Sequence, residues 1–246
     1  MKRSGLLHAS EMVEEFTISE YLERYKAKPL HGYYERVCSN VWDQASSFYW
    51  LVKGDISIES EGFLMAAQEQ SLPTRAMANI YGSSGSSLCR LCGEHPETVE
   101  HLISGCSKLA GQMYKCRHDR VLKYLHWLLC KKYLLDCCPQ WWCHVPAPVV
   151  ETDQVKILWD FNIYCDRIIN ACRPDLTIID KSKDMVILVD VSIPADKRIL
   201  EKEQEKITKY QDLQIELKHL WHKKTRIIPV VIGALGAVSS RFHDFI

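Results

Sequence analysis

The sequence predicts an α/β chain in three parts: a helical leader over residues 1–82, a small cysteine-histidine module over 83–110, and a mixed sheet flanked by helices over 111–246. Three observations carry that expectation. Apolar residues recur at three and four spacings before Tyr81. Metal-ligating side chains cluster between Cys89 and Cys106. Beyond Arg173 the period changes to short runs of β-branched and aliphatic residues broken by a polar turn.

In the leader, SEMVEEF (Ser10–Phe16), ISEYLERY (Ile18–Tyr25) and EGFLMAAQEQ (Glu61–Gln70) carry the helical spacing, and Pro73 breaks or starts a helix. The run GSSGSS, Gly82–Ser87, marks a flexible boundary before the cysteines. After them, Tyr114–Leu135 reads as one long helix with Val121, Leu125, Leu128 and Leu135 on its packing side. CCPQWWCHVPAPVV is a Pro-punctuated connector in which Trp141 and Trp142 are expected to cover apolar surface. RPDLTIID and MVILVDVSIP then form two strands joined by the turn KSKD, to which Asp180 and Asp184 belong. A single helix is expected from Ala195 to about Trp221, with Leu200, Ile207, Tyr210, Leu213, Leu217 and Leu220 as its apolar stripe. RIIPVVIGAL follows as a buried strand and its exit; the apolar stretch Ile227–Val238, interrupted by Pro229 and two glycines, is too short to span a bilayer.

With 47% hydrophobic and 25% charged residues the composition is that of an ordinary folded chain, which argues against long disordered or coiled-coil tracts. A net charge of zero means that any nucleic-acid surface must arise from local segregation of charge. The N-terminal residues lack the apolar core and cleavage site of a signal peptide, so secretion is not expected. Eleven cysteines without such a signal point to a reducing compartment, where clustered cysteines bind metal more often than they cross-link.

The ligand spacing is Cys89-x2-Cys92-x8-His101-x4-Cys106, with Gly93 placed for the tight turn that brings the first two sulfurs together. Four such ligands suit tetrahedral zinc and leave no open position, so the expected role is structural. Zinc binding contributes roughly 10–16 kcal/mol to the folding of such a segment. His95 is an alternative to His101, and Cys116 to Cys106.

Downstream, the hairpin places Asp175 at the start of one strand and Asp190 near the end of its neighbour, an arrangement that can bring two carboxylates to one sheet edge. Paired carboxylates hold a hard cation such as magnesium, which polarises a phosphodiester and activates water. A lysine nearby would stabilise the developing negative charge. Asp190-Val191-Ser192 has no lysine two positions after the acid, so the helix is expected to supply it. Lys202, Lys206 and Lys209 share one flank, where the alternative is a solvated face paired with Glu201, Glu203 and Glu205. Asp190 lies among strand-forming aliphatics, where an unpaired carboxylate is costly. Asp160 is a candidate third acid.

The knuckle together with YKCRHDRV (Tyr114–Val121), KILWDFNI (Lys156–Ile163), RPDL (Arg173–Leu176), VDVSIP (Val189–Pro194) and EKITKYQDL (Glu205–Leu213) resembles the C-terminal region of non-LTR retrotransposon proteins. The resemblance runs from about Lys28 to Val238. It implies a zinc knuckle followed by a restriction-like PD-(D/E)xK endonuclease, which nicks target DNA so that the exposed 3′ hydroxyl primes reverse transcription. On that resemblance Asp175 and Asp190 are the magnesium-binding acids, Lys206 or Lys209 is the basic member, and Tyr210 accompanies them. Arg117 and His118 match the basic element that contacts nucleic acid or the nuclease core. DNA, and retroelement RNA, are the implied partners, without a membrane, and the nucleus is the implied location. The basic residues Lys223, Lys224 and Arg226 form no clear import cluster. No Asp-Asp pair of a polymerase active site occurs, so the resemblance implies a retroelement fragment lacking the reverse transcriptase, either still an endonuclease or a catalytically inactive, domesticated nucleic-acid-binding remnant.

Overall fold

The structure, a computed structural model, describes residues 17–28, 32–83 and 85–245. The SEMVEEF segment lies outside them, as does Ser84 within the GSSGSS run. The described residues form a mixed α/β arrangement around one open five-stranded sheet.

The sheet contains β1 (Val149–Glu151), β2 (Val155–Trp159), β3 (Leu176–Asp180), β4 (Met185–Ser192) and β5 (Lys224–Val231), in that spatial order. The first four form an antiparallel meander. β5 joins β4 in parallel, which requires a crossover connection over one face. That crossover is helical, comprising Ile199–Lys209 and Gln211–Trp221. The KSKD turn sits where expected, between Asp180 and Met185. Pro229 is accommodated because β5 is an edge strand.

Residues 17–26 are helical, and before the cysteine module there follow α1 (Tyr33–Cys38), α2 (Gln44–Ser47), α3 (Tyr49–Lys53), α4 (Ile58–Gln68) and α5 (Arg75–Ile80). Ser57 and Thr74 cap the last two, each accepting a hydrogen bond from a backbone N–H three residues on. After the module comes α6 (Lys115–Lys132), and the crossover pair is α7 (Ile199–Lys209) and α8 (Gln211–Trp221).

Each face of the sheet is covered. Leu122 of α6, with Val121, Leu125 and Leu129 beside it, packs on Val155, Ile157, Leu176, Ile178, Val189 and Val191. Tyr210, Leu213 and Leu217 cover the opposite face over Val186, Leu188 and Ile227. This two-sided burial explains why β4 reads as a nearly continuous apolar run. A third cluster joins Tyr34, Cys38, Trp42 and Ala67 of the leader to Val99, Ile199, Val231, Leu235 and Ala237. Its polar centre is Asp196, which accepts hydrogen bonds from Tyr34 Oη at 2.8 Å and from the backbone N–H groups of Leu235 and Ala237. Gly233 is required beside it, because a Cβ there would come within 2.2 Å of the Asp196 carboxylate.

Several sequence expectations need correction. The helix expected through Trp221 breaks at Tyr210, whose backbone (φ −105°, ψ 7°) leaves the helical region while its ring is fully buried. On α6, Leu128 is exposed and Leu122 and Leu129 face the sheet instead. β1 and β2 were not separately predicted: β1 is three residues long behind a Pro-rich connector, and β2 lies in a segment read only for its acid. Trp141 packs edge-on against Tyr124, but Trp142 is 59% exposed and covers no core.

Candidate functional site

The module over 83–110 begins with a small bridge between Leu88 and Pro96 that folds the first two cysteines back on themselves. Gly93 takes the left-handed conformation the turn requires (φ 71°), and its N–H donates to the Cys89 carbonyl at 2.8 Å. The N–H groups of Leu91 and Glu94 point at the sulfurs of Cys89 and Cys92, at 3.4 and 3.5 Å. A turn of π-helix, His101–Gly105, then presents His101, whose Nε2 lies 3.3 Å from Cys92 Sγ, and leads to Cys106. The ligand atoms of Cys89, Cys92, His101 and Cys106 all lie within 4.8 Å of one another, a set that could bind a metal such as zinc. His95 stacks at 5.6 Å from the His101 ring but does not belong to this set, and Cys116 is exposed on α6.

The electrostatics suit thiolate ligands. Burial raises the Cys89 thiol, but the N–H groups of Cys92 and Leu91 and the His101 imidazole outweigh it, leaving the thiol lowered to about 7. Glu97 is buried beneath the loop and accepts from Arg90 Nη2 at 2.6 Å and from the backbone N–H groups of Arg90 and Arg75. Arg90 first of all, against the cost of burial, holds this carboxyl at about 2. Tyr114 closes the module, donating to the Leu102 carbonyl at 2.8 Å and accepting from the Cys106 N–H at 3.0 Å.

The second constellation sits at one edge of the sheet. Extending the Leu176–Val189 pairing by one residue sets Asp175 opposite Asp190. Asp175 Oδ2 accepts from the Val191 N–H at 2.6 Å and lies 3.1 Å from His118 Nε2 on the first turn of α6. Asp190 is nearly fully buried; its Oδ1 accepts from Tyr210 Oη at 2.5 Å and from Lys209 Nζ at 3.1 Å. Lys206 Nζ pairs with Oδ2 at 2.6 Å. Burial pushes the Asp190 carboxyl upward, but Lys206, Tyr210 and Lys209 together hold it below the ordinary carboxylate range. The Tyr210 phenol is raised by its burial and by Asp190, so it remains a neutral donor.

His118, Asp175, Asp190, Lys206 and Lys209 line one cleft of about 400 Å³. An adjoining cleft of about 660 Å³ runs toward the module, lined by His95 and His101 on one side and Arg198 and Lys202 on the other. Both share Ser192 and Ile193. The sequence-singled acids, Lys206, Lys209 and Tyr210 are thus brought together.

Other expected residues are placed differently. Lys202 pairs with Glu205 rather than with the acids. Asp160 does not line the cleft; it is exposed and ion-paired with Arg173 at 2.8 Å. Arg117, over the Tyr114 ring, donates to the carbonyl of Ile103 at 2.8 Å and of Ile193 at 3.4 Å, tying the module to the end of β4. His118, singled out as part of a basic element, is in direct contact with Asp175. Asp175 before all else, against burial, raises the imidazole to about 9. The sequence separation of 57 between these partners leaves no local signal for the contact.

No family model matches the chain, and no curated protein matches it.

Proposed function

We propose that this chain is a metal-dependent DNA endonuclease module of the non-LTR retroelement type, nicking target DNA to prime reverse transcription, with a structural zinc in its knuckle and magnesium at Asp175 and Asp190. The observation that carries the reading is the convergence of two carboxylates from adjacent strands with two lysines from the crossover helix in one cleft. The donor sets fit the ions: three thiols and an imidazole in a tight loop suit zinc, and two carboxylates at opposed positions beside the β3–β4 ladder suit a hard cation.

Bound magnesium would polarise the scissile phosphodiester and lower the pKa of an attacking water. The chain's own groups supply the rest. Tyr210 and Lys209 fix the Asp190 carboxylate from one side, leaving Oδ2 toward Lys206. Lys206 and Lys209 place positive charge where negative charge develops on a phosphate. His118 holds a proton at Nε2 against Asp175, and the adjoining cleft, with Arg198 and Lys202 on one wall, gives a path along which a phosphate backbone can lie.

Nicking of supercoiled plasmid with magnesium tests the reading. Asp175→Ala and Asp190→Ala are expected to abolish nicking, and Lys206→Ala to reduce it by about 10²-fold or more. Equal nicking by wild type and all three variants overturns it. A second reading, a nucleic-acid-binding module without turnover, is favoured by the ion pairs that already neutralise both acids. It predicts strongly salt-dependent DNA or RNA binding with no magnesium-dependent nicking.

A further inference from the structure

A second group of metal-ligating side chains lies on the sheet-facing side of α6, away from both constellations. His126 and Cys130 stand one helical turn apart, and the segment after the Trp141–Cys143 turn delivers His144 to them. All three are buried, at 1%, 2% and 4% exposure. His126 Nδ1 lies 2.8 Å from His144 Nε2 and 3.5 Å from Cys130 Sγ.

We propose that His126, Cys130 and His144 form a second structural zinc site, independent of the knuckle and of the endonuclease reading. One imidazole nitrogen offers either a single proton or a single lone pair, yet two further ligand atoms converge on Nδ1, the focus that a metal rather than a hydrogen bond explains. Zinc bond lengths of about 2.3 Å to sulfur and 2.0–2.1 Å to nitrogen put tetrahedral S···N neighbours about 3.5 Å apart and N···N neighbours about 3.3 Å apart. The Cys130–His126 spacing of 3.5 Å meets this, and the imidazoles at 2.8 Å need to part by only about half an ångström.

Cys137 lies nearby in sequence. It is half-buried on the connector seven residues beyond Cys130, but its sulfur does not belong to the set of ligand atoms that converge, so the site is His126, Cys130 and His144. Two imidazoles and one thiolate suit zinc, and their burial fits a structural rather than a catalytic role. The site has a structural task to perform. Residues 134–148 contain Pro139, Pro146 and Pro148 and no strand, and they must be anchored to α6 before β1 can begin. Beside the Trp141–Tyr124 ring contact, Trp127 Nε1 to the Cys138 carbonyl and Lys123 Nζ to the Trp142 carbonyl are single hydrogen bonds.

The test is zinc content of the purified full chain by mass spectrometry, beside Cys130→Ser and Cys92→Ser. The expected result is about two zinc per wild-type chain and about one in each variant. Retention of the wild-type count by Cys130→Ser overturns the second site. A wild-type count of about one that Cys130→Ser loses and Cys92→Ser keeps supports the second site and removes the knuckle instead. Should Cys130→Ser not fold, zinc X-ray absorption of the wild type decides. A mean of about two sulfurs per zinc supports the proposal, and about three, the knuckle alone, overturns it.

Discussion

A carboxylate as buried as Asp190 is tolerated because two ammonium groups and a phenol converge on it. Tyr210→Phe keeps the ring that fills the core and removes only the hydroxyl, so it isolates one charge-assisted hydrogen bond. The expected cost is about 2 kcal/mol, read as a lower urea midpoint at unchanged slope. His118 gives a pH dependence of definite sign. Its folded value of about 9 lies above the ordinary 6.5 because Asp175 holds the proton. Its contribution is therefore complete below pH 6.5 and disappears as pH rises through 9. The imidazole is only about half buried, and solvent screening reduces the contribution to on the order of 1–2 kcal/mol. Wild-type stability is expected to fall between pH 6.5 and 9 by that amount more than in His118→Gln. Parallel pH profiles for the two proteins would show that the ion pair contributes nothing.

At the scale of elements, the hairpin was legible because its turn sets its register. KSKD between two aliphatic runs fixes which residues face each other, and one further step along the ladder opposes Asp175 and Asp190. The lysines were legible from helical spacing, since Lys206 and Lys209 lie on one flank of α7. The break at Tyr210 was not: the local pattern is equally good for a continuous helix, and the ring's burial beneath the sheet is a tertiary effect. Nor was the docking of the leader, whose Tyr34 meets Asp196 across 162 residues. That junction carries a prediction of its own. In Gly233→Ala the new methyl would stand 2.2 Å from Asp196 Oδ1 and 3.1 Å from the Asp196 Cα, so the carboxylate cannot keep its hydrogen bonds to Leu235 and Ala237 without the backbone shifting. A loss of roughly 1–3 kcal/mol is expected by thermal or urea unfolding. An unchanged midpoint would show that the turn after β5 yields freely.

For the whole molecule, the question is what depends on metal. The sheet is closed on both faces by α6 and by α7 with α8, and those two clusters contain no residue of the knuckle. The leader differs, because Val99 of the 83–110 module is part of the cluster that binds it to Ile199 and Leu235. Arg117 adds a second link by bridging the carbonyls of Ile103 and Ile193. Stripping metal with a strong chelator should therefore release the molecule in order. Amide hydrogen exchange is expected to rise first over residues 85–110 and over 134–148, which the second site anchors, then over α1 and α4, which share the Val99 cluster, while β3, β4 and β5 keep their protection. The Asp175–Asp190 ladder would survive, but the groove that leads from the knuckle to it would lose one wall. Chelation should consequently weaken DNA binding more than it unfolds the sheet. Uniform loss of protection across β3–β5 would instead mean that the knuckle is part of the folding core, and no loss anywhere would mean that it folds without metal.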